Sequence, residues 1–213
     1  MCQNIVPVNK RTDEYQYQLN DTRRYRAKLG RAKWVSMIDL KAGFHNILFE
    51  AESSYDSTFI THRGKYRWLR MPMGLTQAPA HFQYVVEDVL KGKPGDRPLP
   101  VVVYLDDIAV FGDDQDQVLE DTLEVVRRLT AAGFMINLKK SQLVESAAKV
   151  LGHQWTSGGF WAPCTSKVEA LLGATDAQLA KMNRASLYGL LNFFREYVPT
   201  FAEMTEPLRA LLG

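Results

Sequence analysis

Between residues 34 and 138 the apolar positions follow two rhythms in turn. "WVSMIDL", 34–40, is a short apolar run that stops near Gly43 and reads as a strand. "TQAPAHFQYVVEDVLKG" opens on Thr76, a candidate N-cap, and sets Phe82, Val85, Val86, Val89 and Leu90 on one helical face. Gly92 and Pro94 end it. "VVVYLDDIAVF", 101–111, places β-branched runs on both sides of Leu-Asp-Asp and reads as a β-hairpin. A second helix follows Asp113 or Asp114, with Leu119, Leu123 and Val126 along one line and Val118, Val125 and Leu129 along the next, and Gly133 closes it. "FMINL", 134–138, alternates as a strand does, and "KVLGHQW", 149–155, does so more loosely. The order β, α, β, β, α, β predicts an α+β fold. Its centre is a ferredoxin-like antiparallel sheet with both helices on one face.

The flanks are different in kind. Residues 1–33 are polar and irregular, with a basic cluster of Arg23, Arg24, Arg26, Lys28, Arg31 and Lys33 and no acid among them. After Pro163, "SKVEALL", "ASLYGLLNFFREYV" and "AEMTEPLRALL" read as short helices, a helical appendage starting near residue 165. The 213 residues, 46% hydrophobic, suffice for one large domain or one domain with a small addition. A net charge of +2 says little about partners, so any basic patch must be local. The two cysteines, Cys2 and Cys164, are too few for a disulfide framework, and zinc-ligand spacing is absent. No apolar run approaches the ~18 residues of a membrane span, and the N-terminus is not a secretory signal.

In the predicted sheet the first strand and the central hairpin are neighbours. Asp39 then lies beside the turn carrying Asp106 and Asp107. Carboxylates that close repel, and burying them unpaired costs several kcal/mol each. A hard divalent cation is the natural compensation: Mg²⁺, held by carboxylate oxygens and completed by substrate phosphates. Two such ions about 3.5–4 Å apart make the arrangement for in-line phosphoryl transfer. The alternative is that Asp106 and Asp107 are ordinary turn residues. Against it stand the arrival of Asp39 on the next strand and the lack of Gly or Asn in the turn.

"YLDD", 104–107, resembles the Tyr-x-Asp-Asp box of reverse transcriptases. "WVSMIDLKAGFHNILF" and "KYRWLRMPMGLTQAPAHFQ" are similar to the first two palm motifs of Gypsy/Ty3-type long-terminal-repeat retrotransposons. "GFMINLKKSQL" and "VLGHQWTSGGF" resemble the two motifs that follow the catalytic hairpin, and the C-terminal helices resemble the thumb-connection segment. The resemblance implies an RNA-directed DNA polymerase with a right-hand palm. It divides the chain into a fingers remnant (1–33), a palm (34–163) and a helical thumb or connection segment (164–213).

The resemblance also assigns roles. Asp39, Asp106 and Asp107 become the catalytic carboxylates, holding two Mg²⁺, for which Mn²⁺ can substitute. Phe44 matches the aromatic that blocks a ribose 2′-hydroxyl, or else is a core residue. Gly74 and Gln77 belong to the dNTP site, as does Lys140, otherwise a surface lysine. Tyr104 belongs to the template-primer surface. Leu151 and Gly152 match the hairpin that grips the primer end, or simply pack. In "HRGKYRWLR", 62–70, Arg63, Lys65, Arg67 and Arg70 interleave with Tyr66 and Trp68. This suits phosphate contacts with base stacking, or equally an amphipathic strand with a solvated face.

The expected partners are an RNA or DNA template-primer, dNTP, and the RNase H, integrase and protease parts of a polyprotein, with no membrane. The expected location is intracellular, in cytoplasmic virus-like particles or the nucleus. One departure stands out. Where the family reads nearer to Cys-Val-Asp-Tyr-Arg-x-Leu-Asn, Asn4 takes the aspartate position and Val6 the arginine position. The family's triphosphate clamp would precede residue 1, so poor primer extension is expected. The second reading is an inactive remnant that only binds nucleic acid or protein.

Overall fold

The computed structural model describes residues 5–12, 17 and 22–210; Cys2 and Asn4 lie outside them. It forms two compact units, one of residues 1–148 with 156–159 and one of residues 149–155 with 160–213. The first unit contains α1 (Val6–Asn9), α2 (Thr22–Leu29), β1 (Trp34–Asp39), a 3₁₀ turn (Gly43–Asn46), α3 (Ala51–Asp56), β2 (Phe59–Thr61), β3 (Gly64–Tyr66), α4 (Ala78–Lys91), β4 (Val101–Tyr104), β5 (Asp107–Gly112), α5 (Gln115–Ala131) and β6 (Gln142–Glu145). There follow β7 (Ala147–Val150), β8 (His153–Thr156) and β9 (Phe160–Pro163), paired in that order as a small sheet. The second unit then continues with α6 (Thr165–Leu172), α7 (Asp176–Lys181), α8 (Arg184–Asn192), α9 (Phe201–Met204) and α10 (Glu206–Ala210).

The main sheet runs β4-β5-β1-β6. This is the strand order that a split βαβ arrangement requires. The register between β1 and β5 runs from Trp34 opposite Gly112 to Asp39 opposite Asp107. Alternation along the strands then separates two faces. On one, Ile38, Val103, Ile108 and Val110 pack with Phe82, Val86 and Leu90 of α4 and Val125 and Leu129 of α5. Both helices therefore cover the same face. On the other face lie Asp39, Tyr104 and Asp107, with α2 against β4.

Several local readings are corrected. Residues 134–138 are not a strand; Ile136 makes one isolated bridge to Leu40, and the edge strand is β6. The chain turns instead at Asn137, whose carbonyl accepts from the N–H groups of Lys140 and Ser141. Beyond that turn Ser36 sets the edge: its hydroxyl is buried, accepts from Val144 N–H at 3.0 Å, and meets Thr122 Oγ1 of α5 at 2.8 Å. Val144 is held at φ 53°, costly for a β-branched residue, where the β1–β6 register slips. Residues 149–155 are two strands, because Leu151 and Gly152 both have positive φ and fold the run into a hairpin.

Other boundaries shift for local reasons. Helix α4 starts after Gln77 rather than Thr76, and the Thr76 N–H donates to Asn9 Oδ1. Asp114, not Asp113, caps α5 by accepting from Gln117 N–H. The expected helix over "ASLYGLLNFFREYV" stops at Asn192, and Phe194 N–H turns back to Leu191 O. Part of the 1–33 segment is helical. In α2 the i, i+4 pair Tyr25 and Leu29 is buried, a signal masked by the surrounding cations.

Candidate active site

The β4–β5 turn consists of Leu105 and Asp106 between the paired Tyr104 and Asp107. Leu105 adopts φ 52°. The turn is gripped from α4 by the buried Gln83, whose Nε2 donates to Val103 O at 2.8 Å and whose Oε1 accepts from Leu105 N–H at 2.7 Å. Asp39 is fixed through its backbone. Its N–H donates to Ser141 Oγ at 3.1 Å, and its carbonyl accepts from Asn137 N–H at 2.8 Å.

The electrostatics divide the three aspartates. Asp106 is accessible to solvent, yet the protein packed along one side of its carboxyl raises its pKa. Desolvation is the larger cause and the negative charge of Asp39 the second. Gly43 makes this approach feasible, because a Cβ there would stand 2.7 Å from Asp106 Oδ1 and 3.0 Å from the Phe82 ring. Asp107, on the same face of the sheet as Asp39, acts on Tyr25. Burial first, and the Asp107 charge second, push the phenol of Tyr25 well above its ordinary pKa. Tyr25 stands edge-on to Tyr104 at 6.5 Å, and its hydroxyl is buried without a hydrogen-bond partner.

Asp39 and Asp107 are thus register partners on one face of the sheet, Asp106 lies under the charge of Asp39, and the charge of Asp107 reaches Tyr25. Among the described residues no group of three His, Cys, Asp or Glu side chains is arranged to hold a metal ion. The Asp39–Asp106 pair still fits a hard divalent cation, since both donors are carboxylate oxygens whose mutual repulsion a cation would relieve.

The other expected residues are spread around this centre. Phe44 is half-buried in the 3₁₀ turn, its ring 5.0 Å from that of Phe82. Gly74 has φ 97°, and its carbonyl accepts from Asn9 Nδ2 at 2.9 Å while Asn9 Oδ1 takes the Thr76 N–H. Asn9 thus clamps the loop before α4, where Gln77 lines a pocket with Val8, Phe49, Met71 and His81. Lys140 is exposed in the Asn137 turn beside Asp39. Arg63, Lys65 and Arg67 are exposed on and after the β2–β3 hairpin, with Arg67 Cζ 4.2 Å over the Tyr55 ring. Next to them Trp68 stacks on His45 at 5.6 Å and packs against Phe59. Arg70 is not available in the same way, since its Nη1 donates to the carbonyls of His45 and Asn46.

Leu151 and Gly152 belong to the second unit and form the β7–β8 turn. Lys167 Nζ lies 3.5 Å over the Phe193 ring there, His153 stacks on the same ring at 4.4 Å, and His153 Nδ1 shares a 2.7 Å hydrogen bond with the Tyr197 hydroxyl. Sequence reasoning missed Gln83, Asn9, Tyr25, Ser141 and Lys167. One signal was available for Gln83, a polar residue between Phe82 and Val86 on the apolar face of α4.

Comparison with known proteins gives these features a context. Residues 1–155 match the family described as reverse transcriptase (RNA-dependent DNA polymerase). The chain is 33% identical over 208 residues to the retrovirus-related Pol polyprotein from transposon 297 of Drosophila melanogaster, covering 96% of this chain and 19% of that one. It is 29% identical over 212 residues to the transposon Tf2-3 polyprotein of Schizosaccharomyces pombe, covering 100% of this chain and 16% of that one. It thus spans less than a fifth of these relatives. A foamy viral protease-reverse transcriptase in complex with an RNA/DNA hybrid superposes with a TM-score of 0.82 at 28% identity, over 98% of this chain and 27% of that chain. The same kind of protein in complex with dsDNA gives 0.80 at 30% identity, over 97% and 42%. Among the described residues no helix is long and apolar enough to cross a membrane.

Proposed function

Because the chain belongs to the reverse transcriptase (RNA-dependent DNA polymerase) family, we propose that it adds deoxynucleotides to a primer 3′-hydroxyl on an RNA or DNA template. The observation that carries this reading is the register that sets Asp39 opposite Asp107, with Asp106 under the charge of Asp39. Asp39 and Asp106 would hold the divalent cations, two Mg²⁺ in the full reading, with Asp107 as the third carboxylate of the turn. When bound, such ions neutralise charge on the triphosphate and activate the primer hydroxyl for in-line displacement.

The chain's own residues do the rest. Phe44, braced against Phe82, stands under the sugar and rejects a 2′-hydroxyl. Gly74 and Gln77 accept the incoming nucleotide along a loop that Asn9 holds still. Lys140 supplies positive charge for the triphosphate. Arg63, Lys65 and Arg67 contact backbone phosphates, and the aromatic group of Trp68, His45 and Phe59 backs them. Tyr104 lies on the template-primer face, while Leu151 and Gly152 hold the primer end. On this reading residues 1–33 belong to the fingers, 34–163 to the palm and 164–213 to the thumb or connection. Neither the family nor the fold favours the binding-only alternative.

The test is binding of a fluorescent RNA/DNA hybrid over a range of salt, combined with nucleotide incorporation in Mg²⁺. Each of Arg63→Ala, Lys65→Ala and Arg67→Ala should weaken binding of all sequences alike and lower the salt slope by about one. Salt-independent binding unaffected by these changes would contradict the assignment of the phosphate contacts.

A further inference from the structure

Gln83 is the polar exception on the buried face of α4, with no exposed surface. Both ends of its amide go to one place. Nε2 donates to Val103 O and Oε1 accepts from Leu105 N–H, so a single side chain bridges the backbone on either side of Tyr104. A two-residue turn leaves the Leu105 N–H outside the strand ladder, and Leu105 sits at φ 52°, a strained conformation for a leucine. The surroundings must therefore over-determine this turn, and Gln83 is what meets its backbone. An apolar residue of the same size would fill the space but would take away the acceptor of the Leu105 N–H and the amide donor to Val103 O.

The amide is itself held from behind. Nε2 also donates to Glu87 Oε1 at 2.7 Å, one helical turn along α4. The other Glu87 carboxylate oxygen accepts from the Tyr17 hydroxyl, and the Tyr17 ring stands edge-on to Tyr84 at 5.7 Å. Glu87 accepts only, so Gln83 must present its NH₂ to it, which leaves Oε1 for Leu105. The relay thus fixes which way round the amide sits.

We propose that Gln83 is a positioning residue for the turn bearing Asp106, and that Glu87 and Tyr17 hold it in register. Tyr17 is then coupled to the shape of the catalytic turn through Glu87 and Gln83. Only the activity arm of the test rests on the polymerase reading.

The experiment follows amide hydrogen exchange at Leu105 in Gln83→Met, Glu87→Leu, Glu87→Gln and Tyr17→Phe, with Ala109 and Val110 in the middle of β5 as internal reference. Gln83→Met should speed exchange at Leu105 about tenfold beyond any change at the reference amides. Glu87→Leu and Tyr17→Phe should give smaller rises, and Glu87→Gln, whose carbonyl still accepts from Gln83 and whose NH₂ can donate to the Tyr17 hydroxyl oxygen, should stay near the parent. In primer extension Gln83→Met should lower kcat about tenfold or more with KM for dNTP within about twofold, because the carboxylate's pose changes and the nucleotide pocket does not. A parent chain that extends no primer defeats the polymerase reading while the exchange arm still decides this one. Leu105 exchange rising no more than the reference, or kcat unchanged in Gln83→Met, overturns the positioning role. If Gln83→Met does not fold, parent-like Leu105 exchange in both Glu87→Leu and Tyr17→Phe overturns the relay.

Discussion

Two hairpin turns in this protein both open on a leucine at positive φ and differ in what surrounds it. The β4–β5 turn begins with Leu105 at φ 52°, the β7–β8 turn with Leu151 at φ 49°. Each stores a leucine in the left-handed region. The first is held by a side-chain amide and ringed by carboxylates: Asp106 and Asp107 in the turn and at its exit, Asp39 opposite. The second exits through Gly152, where a Cβ would stand 2.6 Å from Lys167 Nζ, and is ringed by a cation and aromatic rings from Phe193, His153 and Tyr197. One surrounding suits cations and the other suits phosphate and sugar. Backbone geometry supplies the platform, and the groups around it decide the chemistry.

The sharpest way to separate the two regions is substrate discrimination. Phe44→Ala, near the first turn, should raise ribonucleotide use relative to deoxynucleotide on the order of tenfold to a hundredfold, read from kcat/KM for each. Gly152→Ala should leave that ratio unchanged. Equal effects from both would dissolve the distinction. On stability, Gly152→Ala at φ 76° should cost about 1 kcal/mol or more in chemical denaturation, since Lys167 can swing aside but the backbone strain stays.

Among the described residues each unit buries one orphan polar atom, Tyr25 Oη in the first and Trp155 Nε1 in the second. Tyr25→Phe removes the orphan at little loss of volume and should stabilise by about 1 kcal/mol. Trp155→Phe should destabilise despite removing the other orphan, because the fully buried indole leaves a cavity. Melting curves on both variants check the contrast.

A smaller effect concerns pH. The Asp106 carboxyl is raised in the fold by desolvation and by Asp39, so the folded state binds its proton more tightly than the unfolded chain. Without metal, that penalty on the charged carboxylate is absent below the ordinary value of 3.8 and grows as pH rises toward the folded pKa. Asp106→Asn should therefore melt higher than the parent at neutral pH, with the advantage vanishing in acid. Mg²⁺ should raise the parent's melting temperature and leave the variant's almost unmoved.

The same contrast explains what could be read in the sequence. The first turn carries its chemistry within four consecutive residues of an apolar run, so the carboxylates, the hairpin and Asp39 on the neighbouring strand were all visible. So was the sheet order, since hydrophobic periodicity fixes β1, α4, β4, β5 and α5. The second turn draws its charge and rings from Lys167, Phe193 and Tyr197, which only folding assembles. Residues 134–138 alternate as a strand does, but the Asn137 turn prevails over pattern and the edge passes to residues 142–145. The Thr175–Gln178 capping box that starts α7 was legible and overlooked. That Asp106 approaches Gly43 under the charge of Asp39 while Asp107 acts on Tyr25 was not legible, because spacing alone does not say what each side chain meets.

The most direct measurement is incorporation of a single deoxynucleotide on an RNA template with a DNA primer, comparing the parent with Asp106→Asn, with and without Mg²⁺. The account predicts template-directed, Mg²⁺-dependent extension by the parent and a loss of at least about a hundredfold in the folded variant. Extension by Asp106→Asn at the parental rate, or extension by the parent that does not respond to Mg²⁺, would contradict it.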